Sequence, residues 1–359
     1  MKRHCWVDRA SYKLYPNIYT ILVGRPGIGK GAALNPALLI AKEAGTLNVL
    51  SDRLTIEYVL ERLAKGFTSP TATSAGGIAI GTDSSALIFS PELSIFIRSS
   101  SDALGDLSDL WDSREHPFDY GTRSRGLYTI TKPSISLLAG SAPEWLVKSI
   151  PSDAVGGGFT RRVNFVYAKD KSKSIPWPVN HQGSRDSLVD DLRHISSVLR
   201  GEFHFSKEAK DSFDVLYDDC TPDEFDDEAT SAYKTSKWAH ATKLAMVLSA
   251  SRGDDMVIGK EDFDTATVQV EVVLKDLAMV FRAVGDSDLV NASDRILKFV
   301  ELKGYASKQD MLHANWRHIT SEDLDRILMT FVQAGIIGEV NRGNKIMYRI
   351  LQQPTGVRP

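Results

Sequence analysis

From Ile18 to Val23 every position but Thr20 is apolar or aromatic, and the run stops at glycine, which predicts a buried strand running into a turn. From Asn35 to about Ala44, Leu38, Leu39 and Ala41 mark the inner side of a helix closed by Gly45, and LNVLS reads as the next strand. In TIEYVLERLAK, Ile56, Val59, Leu60 and Leu63 recur at helical spacing behind the capping residues Asp52 or Thr55. The Thr-, Ser- and Gly-rich stretch from Phe67 to Gly77 reads as an exposed loop. A strand–helix alternation resumes in SALIFSPELSIFI, in a short helix over 104–112 and in a hairpin within FDYGTRSRGLYTI. A third core strand covers Ser134 to Ala139, a helix starts at Pro143, and a further strand follows in VNFVYA. This order predicts an α/β fold with a central parallel sheet over residues 1–170.

After Ala168 the polar, proline-bearing KDKSKSIPWPVNHQGS reads as a linker. Helical periodicity then dominates residues 171–287, predicting an α-helical lid or bundle domain. Asp211, Asp214, Asp218, Asp219, Asp223, Glu224, Asp226, Asp227 and Glu228 follow one another without a Lys or Arg, the pattern of a solvated acidic face. Lys237 and Lys243 lie on an amphipathic helix, where lysines ordinarily keep their heads in water. Residues 288–352 read helix, helix, helix, hairpin, the hairpin turning at Asn341-Arg342-Gly343-Asn344, an order that suits a winged helix; 353–359 is a tail.

With 359 residues, 42% hydrophobic and 25% charged, the chain has the composition of a globular protein of two or three domains. The longest apolar runs fall far short of a membrane span, and MKRHCW has no signal-peptide core, so a cytoplasmic protein without membrane contact is expected. Cys5 and Cys220 form neither a disulfide framework nor a zinc motif. A net charge of -3 leaves any nucleic-acid contact to local patches.

The chemistry concentrates in GRPGIGKGAA. Gly24, Gly27 and Gly29 allow the backbone N–H groups to face phosphate oxygens, and Lys30 supplies a positive charge at the start of the next helix; Gly31 and Ala32 complete the cradle. The spacing is GxxxxGK, but Gly31 stands where Ser or Thr would place a hydroxyl on Mg²⁺. Glu92 follows a buried strand, where a carboxylate can polarise water or hold metal, and Pro91 stands where a second acid is usual. The same residues also make a helix start. Ser141 at a strand end is either a sensor of the terminal phosphate or an N-cap. Arg161 and Arg162 after three glycines suit a finger into a neighbouring copy's site, or else surface ion pairs. Arg123 and Arg125 at a hairpin tip, and Arg342 and Lys345 on the wing, are candidate nucleic-acid contacts. The third helix of the tail begins with Glu322, Asp323 and Asp325, which opposes base reading by that end.

In order, YPNIYTILVGRPGIGKGAAL, LSDRLTIEYVLERL, FSPELSIF, KPSISLLAGSAPEWL and GGGFTRRVNFVYA resemble a family of phage and mobile-element P-loop ATPases related to primase-associated helicases. The likeness covers roughly residues 12 to 280, and the tail resembles the winged-helix appendages of such proteins. The resemblance implies a RecA/AAA+-like fold, assembly into a homo-oligomeric ring such as a hexamer, use of ATP and Mg²⁺, and work on single-stranded or forked DNA in replication, with a primase or other replication protein as partner. It also implies that Lys30 holds phosphates, Glu92 activates water, Ser141 senses, and Arg161 or Arg162 reaches across. The expected function is an ATP-dependent DNA motor, a replicative helicase; the competing expectation is a nucleotide-gated DNA-binding ring with slow hydrolysis.

Overall fold

The computed structural model describes residues 1–51, 54–72, 78–97, 102–122, 126–150, 158–171, 173–177, 182–224, 226–285, 289–316, 319–342 and 345–351. It divides into two compact units, Met1–Phe281 and Arg282–Pro359.

The first unit is built on five parallel strands: β1 (Tyr19–Gly24), β2 (Asn48–Ser51), β3 (Ser85–Ser90), β4 (Ser134–Ser141) and β5 (Val163–Ala168), in the spatial order β5-β1-β4-β3-β2. Most of the apolar side chains of β1, β3 and β4 are buried, whereas β2 buries only Leu50 and β5 leaves Val166 exposed. The connections are helical: α1 (Lys30–Ala44), α2 (Ile56–Lys65), α3 (Leu93–Ile97), α4 (Ala103–Trp111) and α5 (Pro143–Ser149). Helix α1 begins at Lys30, five residues earlier than the periodicity indicates, and contains Pro36. The stretch expected as a loop from Phe67 instead contributes the strand Phe67–Ala72, paired antiparallel with Ile78–Asp83; Thr and Ser are as acceptable in a ladder as in a loop. The hairpin over 118–130 forms between Phe118–Thr122 and Gly126–Ile130, and the predicted tip arginines Arg123 and Arg125 lie outside the described residues.

The opening residues do more than lead into β1. Cys5–Asp8 pairs with Gly201–Glu202 and with Lys13–Leu14 in a small separate sheet. Five helices follow the core: α6 (Gln182–Val198), α7 (Lys207–Asp218), α8 (Glu228–Lys234), α9 (Lys237–Arg252) and α10 (Lys260–Gly285). Within this unit their apolar faces share one hydrophobic core with the sheet. They also serve the edge strand β5: Tyr167 N donates to Asp276 Oδ2 (2.9 Å), and Tyr233 Oη donates to Asn164 Oδ1 (2.7 Å). Part of the acidic run is internally paired. Lys234 Nζ lies 2.6 Å from both Asp223 and Asp226, and the buried Lys237 bonds Asp219 (2.5 Å) and Glu271 (2.8 Å). Lys237 and Lys243 are both buried, against the solvated placement their helix suggested.

The second unit contains α11 (Leu289–Lys303), α12 (Lys308–Asn315), α13 (Ser321–Gln333) and a hairpin of β7 (Ile337–Arg342) and β8 (Lys345–Ile350). A short strand, β6 (Ala306–Ser307), joins β8 on its other side, so the sheet order is β6-β8-β7. Ser307 and Thr320 start α12 and α13 with capping boxes, each reciprocated by an aspartate three residues on. Ile296, Val300, Met311, Leu324, Ile327 and Ile337 fill this unit's own core.

Candidate nucleotide site

The C-terminal ends of four strands line up along one edge of the sheet. Gly24 pairs with Ala168, Val23 with Ser141, and Ala139 with Ser90. The glycine-rich loop, Ser141 and the turn carrying Glu92 therefore emerge together, at the edge where open α/β sheets bind ligands. Helix α1 crosses close above this edge: Leu34 is buried, and a Cβ at Gly140 would stand 2.8 Å from Pro91 O and 3.0 Å from Leu34 Cδ1. Glycine at 140 is what lets the Pro91–Glu92 turn and α1 approach β4 this closely.

Within the loop, Gly27 (φ +82°) and Gly29 (φ +104°) adopt left-handed backbone that L side chains resist, and both open onto free space. Gly29 is the N-cap of α1, so the positive end of the helix dipole faces the loop. Lys30 Nζ folds back to donate to Gly24 O (2.5 Å) and Arg25 O (3.3 Å), carbonyls that phosphate oxygens would replace as partners. Gly31 and Ala32 are exposed, and nothing lies within 4 Å of a Cβ built at Gly31. These features fit a polyphosphate.

The fit to Mg²⁺ is thinner. Glu92 Oε1 accepts from Ser94 Oγ at 3.0 Å, and no group of three or more His, Cys, Asp or Glu capable of holding a metal occurs among the described residues. A magnesium ion here would rest on Glu92, water and the nucleotide's own oxygens, an arrangement Mg²⁺ accepts because it dehydrates reluctantly. Ser141 is fully buried, its hydroxyl donating to Ala142 O at 3.1 Å.

The two arginines lie at the opposite edge. Thr160–Arg162 forms a single 3₁₀ turn immediately before β5, whose first residue, Val163, pairs with Tyr19 at the start of β1. The length of β1, roughly 16 Å, separates this turn from the glycine loop of the same chain. Arg162 is buried and committed: it grips Asp112 bidentately through Nε (3.1 Å) and Nη2 (2.8 Å) and donates through Nη1 to Gly158 O (2.6 Å). Arg161 is exposed, its guanidinium held below the ordinary arginine value first by partial burial and then by Arg162 beside it.

Helix α9 fixes that turn from behind, a role the sequence pattern did not reveal. His240 Nε2 lies 2.8 Å from Arg161 O; a carbonyl only accepts, so Nε2 carries the hydrogen. The imidazole stacks on Tyr233 at 4.8 Å, and burial pushes it down to about 4. Lys243 Nζ donates to Asn17 Oδ1 (2.8 Å) and sits 3.6 Å from the centre of the Trp111 ring. Asn17, just ahead of β1, donates in turn to Trp111 O (2.8 Å) and Ile135 O (3.2 Å). In the second unit, Arg342 lies over the Tyr305 ring at 4.2 Å and Lys345 is exposed, while Asp325 on the outer side of α13 pairs with Lys308 (2.6 Å).

No known family profile matches the chain, and no curated protein matches it. Among solved structures, a full-length MCM homologue from Methanopyrus kandleri is similar with a TM-score of 0.37 and 14% identity, covering 76% of this chain. The chain spans about half of that protein, 53%. No helix among the described residues is long and apolar enough to cross a membrane.

Proposed function

We propose that the chain is an ATP-driven motor on DNA that works as a homo-oligomeric ring, a hexameric replicative helicase of phage or mobile-element type. The observation that carries this reading is the placement of the Gly24–Lys30 loop, Glu92 and Ser141 at one edge of the parallel sheet, with an exposed arginine, Arg161, at the other. An arginine on that far edge cannot serve its own loop, but copies stacked head to tail bring it to the next copy's nucleotide.

In this reading Lys30 and the loop N–H groups hold the phosphates of ATP, and Glu92 orients a water and accepts its proton. Arg161 of the neighbouring copy stabilises the charge that develops on the departing phosphoryl group. Mg²⁺ bound with ATP supplies further neutralisation of the phosphates. Arg162 is a positioning residue, its guanidinium spent on Asp112. The second unit acts as a winged helix, a reading supported by its helix–strand–helix–helix–hairpin order. Arg342 and Lys345 touch the DNA backbone there, and Arg123 and Arg125, which lie outside the described residues, are further candidate contacts in this reading. The acids Glu322 and Asp325 on α13 keep that helix from reading bases.

Phosphate release from ATP, measured with and without single-stranded or forked DNA beside strand separation on the fork, tests the proposal. DNA stimulates release and the fork opens if it holds; absence of both effects contradicts it. A second reading, a nucleotide-gated DNA-binding ring that hydrolyses slowly, is favoured by Gly31 and Pro91, which supply neither a hydroxyl nor a second carboxylate beside Glu92. It predicts ATP-dependent assembly that survives Glu92→Gln and is lost in Lys30→Ala.

A further inference from the structure

A cavity of about 540 Å³ opens at the edge of the sheet away from the glycine loop, beside Ser85, the first residue of β3. It lies at the root of the hairpin Phe118–Ile130: Glu115, ahead of that hairpin, and Lys132, just after it, both line the wall. The opening residues Lys2, Arg3, His4 and Trp6 form another side, joined by Lys13 from the strand paired with Cys5–Asp8.

Charge is unevenly matched on this wall. Lys2, Arg3, Lys13 and Lys132 share it with only two carboxylates, and both are taken, Asp83 by Lys2 (2.6 Å) and Glu115 by Arg3 (2.8 Å). Lys13 and Lys132 have no carboxylate partner among the described residues, so their charges stand uncompensated at the cavity. His4 registers this field: partial burial first and then Arg200 hold its imidazole below the ordinary histidine value, with Asp83 opposing. Lys13 does not swing free. Its Nζ lies 4.1 Å from the centre of the Trp6 ring, which fixes the cation against a half-buried aromatic surface. Lys2 and Lys132 both hold left-handed backbone at φ +52°, which costs an L side chain energy and is kept here at two points of one wall. Fixed like charges without counter-ions repel one another, and a ligand that carries negative charge at intervals relieves the repulsion. Lysine point charges beside an indole suit a phosphate backbone and its bases; the carboxylates of an acidic peptide make no use of the ring.

We propose that this cavity is a nucleic-acid contact, in which Lys13 and Lys132 neutralise phosphates of a single strand and Trp6 offers a base an aromatic surface. The contact needs no nucleotide at the glycine loop. It is also separate from the wing residues Arg342 and Lys345.

The test is fluorescence anisotropy of a labelled oligothymidylate with the full chain, without ATP, over a range of salt concentrations. Each phosphate contact to a single strand contributes about 0.7 to the slope of log affinity against log salt. Lys13→Gln and Lys132→Gly each lower that slope by about 0.7 and weaken binding severalfold, and Lys13→Arg restores both. Lys132→Gly is the cleaner probe: φ +52° suits glycine, so its melting temperature does not fall while its charge is gone. Arg342→Ala is measured beside them. A slope lost there and kept in both lysine variants leaves the wing contact standing and overturns this one. No binding by the wild-type chain overturns it as well, as does polyglutamate that displaces the labelled strand at lower concentration than unlabelled oligothymidylate, which identifies an acidic peptide as the ligand.

Discussion

At Gly31 the first turn of α1 has open space where a side chain would go, so the missing hydroxyl is a matter of chemistry and not of room. Gly31→Thr is therefore tolerated, and by giving Mg²⁺ a protein ligand it raises magnesium-dependent phosphate release severalfold; an unchanged rate in a folded variant shows that metal placement does not limit turnover. Lys30→Ala lowers ATP affinity at the loop at least about tenfold, measured by competition with a fluorescent nucleotide. His240 carries a pH signature. Its folded value, about 4, lies below the unfolded 6.5, so the unfolded chain takes up a proton first as pH falls. Its contribution is intact above 6.5 and is lost progressively down to about 4, a few kcal/mol in all. His240→Gln flattens that part of the stability–pH curve in chemical unfolding. The glycine loop was legible because its spacing is fixed by phosphate geometry. The burial of Lys237 and Lys243 was not: their helix is walled in on nearly every side, and partners such as Asn17 come from distant segments.

Among elements, the 3₁₀ turn at Thr160–Arg162 depends on contacts from three directions: Asp112 after α4, His240 on α9, and β5 continuing from it. Asp112→Ala leaves the Arg162 guanidinium buried and uncompensated, and costs about 2–4 kcal/mol in denaturant unfolding. A loss smaller than 1 kcal/mol, on the order of an exposed ion pair, contradicts the structural role given to Arg162. Sequence spacing located the five core strands because each is a short apolar run bounded by turn residues. It misplaced elements whose identity rests on partners. Phe67–Ala72 is a strand because Ile78–Asp83 lies beside it, and α1 starts at Lys30 although Pro36 argues for a later start. The acidic run became partly internal because Lys234 and Lys237, from later helices, meet it.

For the whole molecule, one chain places its glycine loop and its exposed arginine at opposite edges of the same sheet, and the proposed catalytic site therefore combines residues of two copies. In that proposal it is their separation along the strands, not either feature alone, that calls for assembly. The direct measurement is sedimentation velocity with a slowly hydrolysed ATP analogue and Mg²⁺, comparing the wild-type chain with Lys30→Ala and Arg161→Ala. The account predicts that the analogue drives the wild type into a discrete ring-sized species, that Lys30→Ala remains small, and that Arg161→Ala binds nucleotide but assembles less. A wild-type chain that stays monomeric at saturating analogue, or a Lys30→Ala chain that assembles equally well, would contradict it.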